Sequence, residues 1–108
     1  MSGIAIVLST AGSEGEASRI ARTLVERRLA ACVSVVPGVS SIYRWQGALR
    51  TEAEWLLVVK TRRDRFDQVR AAIRELHSYE VPEIVMLDIA DGDAAYLGWI
   101  DASLTDAG

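Results

Sequence analysis

The sequence predicts one small α+β domain, residues 1–108, in the element order β-α-β-β-α-β. Three observations carry this reading. Apolar runs of strand length alternate with two stretches whose apolar residues recur at helical spacing. The strand–helix–strand order occurs twice in succession. Between the two halves, residues 31–61 are β-rich and reverse near their middle, so the halves share a central hairpin.

Residues 3–10 (GIAIVLST) form a short continuous apolar run, and Ala11-Gly12 breaks it. Ser13, with Glu16 three positions on, has the pattern of a capping box. Ala17, Ile20, Ala21, Leu24 and Val25 then follow the spacing of an amphipathic helix, with Arg27 and Arg28 expected in its last turn, where the helix dipole favours cations. Residues 31–46 (ACVSVVPGVSSIYRWQ) read as a long strand that Pro37-Gly38 bends or bulges. The segment 46–49 looks like a hairpin reversal, and residues 51–61 (TEAEWLLVVKT) return. Asp64 is expected to cap a second helix whose stripe is Phe66, Val69, Ile73 and Leu76. Residues 79–82 form a loop, 83–89 (EIVMLDI) a last core strand, and a short closing helix carries Tyr96, Leu97, Trp99 and Ile100. This is the ferredoxin-like split βαβ order, with helices over one face of an antiparallel sheet and the other face in need of cover.

The hairpin is long for such a domain. A compact chain of this size has a diameter of roughly 34 Å. A strand over residues 31–46 would run roughly 50 Å at about 3.3 Å per residue. Its far part is apolar: Tyr43 and Trp45 share one face, Ile42 lies on the other, and Trp55 begins the return. Either the bend at Pro37-Gly38 folds this arm onto its own sheet, or the arm reaches a neighbouring subunit in a closed ring. The length favours an oligomer.

Composition excludes several functions. Net charge is −3 and the pI is near 5.1, which speaks against a nucleic-acid partner. No apolar stretch is long enough for a membrane span, and residues 1–8 lack the form of a signal peptide. A lone Cys32 makes the reducing cytoplasm the default compartment. The third-strand region EWLLVVKTR does not match an RNA recognition motif. With no asparagine, the chain cannot supply the Arg-Asn pair of acylphosphatases that share this order. There is no glycine-rich phosphate loop and no HExxH, and a Cys32–His77 nucleophilic pair would leave the thiol among valines, so no enzyme is expected.

Three places could carry chemistry. His77, the only histidine, is either a dipole partner at the end of the second helix or part of a site. The latter is suggested by Ser78, Tyr79, Glu80 and Glu83, which concentrate polar groups in one loop. Cys32 is either a buried structural thiol or, with an imidazole, a ligand for copper(I) or zinc that other groups or subunits would have to complete. Lys60, the only lysine, is a snorkelling charge or, with Arg62, an anion contact in a subunit cleft.

The segments LAACVSVVPGVSSIYRWQG, WLLVVKTR, ELHSYEVPEIVMLDI and YLGWI, in unbroken order from Ala5 to about Leu104, resemble the CutA family of divalent-cation-tolerance proteins. The resemblance implies a ferredoxin-like subunit in a tight homotrimer, hairpins reaching across to neighbours, and a role in tolerance of copper or another divalent cation without an attached reaction. It also implies intersubunit clefts lined by Cys32, Trp45, Lys60, His77, Tyr79, Glu80 and Glu83, with His77 and Cys32 as metal contacts. A likeness to PII-type signalling proteins implies, as an alternative, a sensor of a small anionic ligand beside Lys60 and Arg62. A third possibility is a purely structural assembly. The chain departs from the family pattern in two respects: Ser78 stands where a proline is usual, and Ser9 with Leu76-His77 stands where some members carry a cysteine and a His-His pair.

Overall fold

The structure, a computed structural model, describes residues 2–105. Its elements are β1 (Ile4–Ala11), α1 (Glu14–Glu26), β2 (Cys32–Trp45), β3 (Ala48–Arg62), α2 (Phe66–Leu76), β4 (Val85–Asp88) and α3 (Ala94–Thr105), with a 3-10 turn at Arg63–Arg65. They form a mixed α+β fold with one four-stranded antiparallel sheet in the order β2-β3-β1-β4.

Ser13 caps α1 as expected: its hydroxyl accepts the Glu16 N–H at 3.2 Å. The Glu16 carboxylate does not return to Ser13; it accepts the Ser78 N–H at 2.8 Å, tying α1 to the loop after α2. Three expectations need correction. Arg27 and Arg28 lie beyond the last turn of α1, because the helix stops at Glu26 and Arg28 enters the left-handed region at φ 57°. Asp64 does not cap α2. Its carboxylate pairs with Arg62, the 3-10 turn intervenes, and Arg65 takes the cap position without a side-chain bond. Trp55 belongs to the core rather than the arm, since it pairs with Ala11 and packs against the main apolar cluster.

Pairing partners share a face of the sheet, and successive residues alternate between faces. Val7, Ala11, Leu57 and Val59 therefore face α1 and α2, and are sealed by Ile20, Leu24, Val69 and Ile73. On the other face the register brings Ile6, Leu8, Cys32, Ser34, Leu56, Val58 and Lys60 together, with Leu87 and Val85 from β4. Helix α3 covers only the end of that face, where Ile100 and Leu104 pack on Ile4. Val36, Val85 and Leu87 remain exposed.

The hairpin is as long as its residue count requires. Between Val36 and Val39 the register shifts, leaving Pro37 and Gly38 as a bulge, with Gly38 at φ 73°. The reversal is a two-residue turn with Gln46 at φ 50° and Gly47 at φ 79°, the primed turn that matches strand twist. Residues 42–53 are exposed without exception. The chain measures 46 × 26 × 23 Å, so the bulge bends the arm without folding it back.

Candidate functional site

The loop after α2 is fixed at both ends of its first turn. The His77 N–H donates to the Ile73 carbonyl at 2.9 Å, and the ring is buried. Its Nδ1 accepts the Tyr79 N–H at 3.0 Å, and its Nε2 lies 2.6 Å from the Thr10 carbonyl oxygen. An N–H can only donate and a carbonyl can only accept. This network therefore assigns the neutral tautomer with the proton on Nε2. Both ring nitrogens are thus engaged within the chain.

Tyr79 is carried by this arrangement. Its ring lies 4.6 Å from the His77 ring, centroid to centroid, and its hydroxyl donates to Glu54 Oε2 at 2.8 Å. Burial, followed by the bond to the Glu54 carboxylate and that group's charge, raises the phenol well above its ordinary range. Gly12 makes room for the ring: a Cβ at that position would meet the Tyr79 Oη at 2.9 Å. Burial alone would raise the Glu16 carboxyl, but the hydrogen bonds from Ser78 outweigh it and hold it below its ordinary range.

Between this loop and the arm lies a cleft of ≈ 570 Å³. It brings together Trp45, Tyr79, Glu80 and Glu83 of the expected set. Thr10, Tyr43, Arg50, Glu54 and Val81 complete the lining. Two of these are readable from the hairpin register, because a turn at 46–47 sets Tyr43 opposite Arg50 on the Trp45 face. Glu54 carries no such signal, since its burial depends on the distant loop.

The other expected residues lie elsewhere. His77 stands behind the cleft and positions it. Lys60 and Cys32 are register partners, and the Lys60 Nζ is 3.9 Å from the Cys32 sulfur and hydrogen-bonded to Ser34 Oγ. Six residues of β3 separate Lys60 from Glu54, roughly 20 Å of strand. Within one chain Cys32 and His77 are not brought together. Among the described residues, no three His, Cys, Asp or Glu side chains are placed to hold a metal ion. Arg62 does not join Lys60 in an anion site, because its guanidinium is held by Asp64 and by Asp101 at 3.0 Å.

The model of the CutA1 divalent ion tolerance protein family matches residues 5–103. The chain belongs to that family. It is similar to the divalent-cation tolerance protein CutA of Thermus thermophilus, with 52% identity over 95 residues, covering 88% of this chain and 92% of that one. It is 36% identical over 102 residues to the chloroplastic protein CutA 1 of Oryza sativa, covering 94% of this chain and 58% of the rice protein. Its fold matches the crystal structure of CutA from Xylella fastidiosa with a TM-score of 0.92 at 35% identity, covering 94% of this chain and 98% of that one. These CutA relatives are named as tolerance proteins or by family alone, with no reaction and no signalling role in the name. No helix among the described residues is long and apolar enough to cross a membrane.

Proposed function

We propose that the chain serves divalent-cation tolerance as a homotrimer of ferredoxin-like subunits, and that any metal it binds is held weakly by groups from more than one copy. The observation that carries this reading is the joined apolar surface of the sheet and arm. Ile6, Leu8, Leu56 and Val58 lie on a face that α3 covers only at one end, and the exposed arm over residues 42–53 continues from it. An apolar sheet face beside an unpaired edge is covered by another chain far more often than by water.

The family supports the tolerance role. Cys32 lies on the open face, so assembly would bring cysteines of several copies to the subunit boundary, where copper or another divalent cation could find the ligands that one chain lacks. His77 enters such a site only by giving up the Tyr79 N–H. The proposed compartment is the cytoplasm, supported by the single unpaired cysteine. No catalytic role is assigned to any residue.

Isothermal titration of the assembled protein with copper tests the metal reading. The expected result is weak binding that Cys32→Ser and His77→Ala together remove. Heat no greater than that of this double variant would end it.

A further inference from the structure

We propose that Asp91 is a site of covalent self-modification: its side chain cyclises onto the Gly92 nitrogen and reopens as isoaspartate, and the lengthened backbone loosens α3. This does not depend on the metal-tolerance reading. The loop concerned, residues 89–93, belongs to neither the arm nor the apolar sheet face assigned above to neighbouring copies.

The first observation is the conformation of the Asp91 side chain. Its Oδ1 accepts the Gly92 N–H at 2.8 Å, so the carboxyl is folded back over the backbone nitrogen of the next residue. That is the conformer from which a five-membered succinimide ring closes. No ion pair holds this carboxylate elsewhere among the described residues. The second observation is the neighbour. Gly92 has no Cβ to crowd its own nitrogen, and both residues are exposed and outside regular structure. Asp91-Gly92 is the only Asp-Gly pair in the chain, which has no asparagine to offer a competing route.

The step balances without an oxidant, reductant or cofactor. The Gly92 nitrogen attacks Asp91 Cγ in its acid form. The N–Cγ bond forms, the Cγ–OH bond breaks, and the hydroxyl leaves with the nitrogen's proton as water. Water then adds to either imide carbonyl. Addition at Cγ restores aspartate; addition at the main-chain carbonyl breaks its bond to nitrogen and leaves the backbone running through Cβ and Cγ. The third observation is what this loop holds. Gly92 packs so closely on α3 that a Cβ there would meet Leu97 Cδ2 at 3.2 Å. Asp93 begins the helix, its carboxylate accepting the Tyr96 N–H at 3.2 Å and its carbonyl the Leu97 N–H at 3.0 Å. Beyond it, Ile100 and Leu104 rest on Ile4 in a small cluster of their own. An added backbone methylene at Asp91 therefore disturbs the seating of α3 and spares the main core.

The test is prolonged warm incubation of the assembled wild-type protein at mildly acidic pH, where part of the carboxyl is in its acid form. Peptide mapping with electron-transfer fragmentation then distinguishes isoaspartate from aspartate at each position. Isoaspartate is expected at Asp91 at a level about tenfold above any other aspartate, none of which precedes a glycine. A succinimide lighter by one water should precede it. Hydrogen exchange of the α3 amides should quicken several-fold in the aged protein while α1 and α2 keep their protection. Asp91→Glu, whose longer side chain must close a six-membered ring, should show neither change after the same incubation. If Asp91→Glu does not fold, the wild-type map and exchange decide. Isoaspartate at Asp91 no higher than elsewhere, or α3 exchange unchanged in the modified protein, would each overturn the proposal.

Discussion

His77 and Thr10, 67 residues apart in the chain, are joined by a 2.6 Å hydrogen bond between the buried imidazole Nε2–H and a backbone carbonyl. Through this bond the end of α2 is held against β1, and Tyr79 is presented to Glu54. The only histidine is thus a positioning residue for the cleft.

Replacing it should show that. His77→Ala leaves the Thr10 carbonyl and the Tyr79 N–H without their partner and should cost about 1–3 kcal/mol in chemical denaturation. The Tyr79 ring signals should also broaden or shift in NMR spectra. A loss below about 0.5 kcal/mol with Tyr79 unmoved would mean that the loop holds itself.

Glu16 makes stability depend on acid. Its folded-state pKa lies below the ordinary carboxyl value of about 4.5, so the folded chain binds the proton less well than the unfolded chain. The stabilisation is fully present above about pH 4.5 and is lost as pH falls through the lower folded value. Glu16→Gln should therefore lower the melting temperature near neutral pH, with the difference from wild type shrinking as the medium is acidified below pH 4.5. A difference that stays constant down to pH 3 would contradict the Glu16–Ser78 tie.

Ser9 is fully buried and its hydroxyl has no partner among the described residues. Ser9→Ala removes an unsatisfied polar group and should be neutral or stabilising by up to about 1 kcal/mol in urea denaturation. Destabilisation beyond about 1 kcal/mol would show that the hydroxyl is bonded in solution.

Gly12→Ala should push the Tyr79 hydroxyl away from Glu54, because the added Cβ would stand 2.9 Å from it. The expected cost is about 1 kcal/mol, and it should vanish in a Tyr79→Phe background where that bond is already absent. Equal cost in both backgrounds would place the strain elsewhere.

The elements and the arm are legible in the sequence because they rest on local rules. Helical spacing marks α1 and α2, and strand rise multiplied by residue count gives an arm longer than the domain. Pro37-Gly38 announces the bulge by the residues themselves. The cleft is legible in part, since Trp45 and the Tyr79–Glu83 loop stand out by composition. What is hidden depends on contacts between distant segments. Asp64 looks like a cap until Arg62 captures its carboxylate, and Glu16 looks like half of a capping box until Ser78 takes it. Lys60 and Cys32 stand out by residue type, but that the register sets them opposite each other, well away from Glu54 along β3, follows only from the strand pairing.

The central claim is that the open sheet face and the arm are covered by two further copies of the chain. Native mass spectrometry at micromolar concentration tests it most directly. A single species of three times the 11.8 kDa chain mass is the expected result. A stable monomer at that concentration would contradict it.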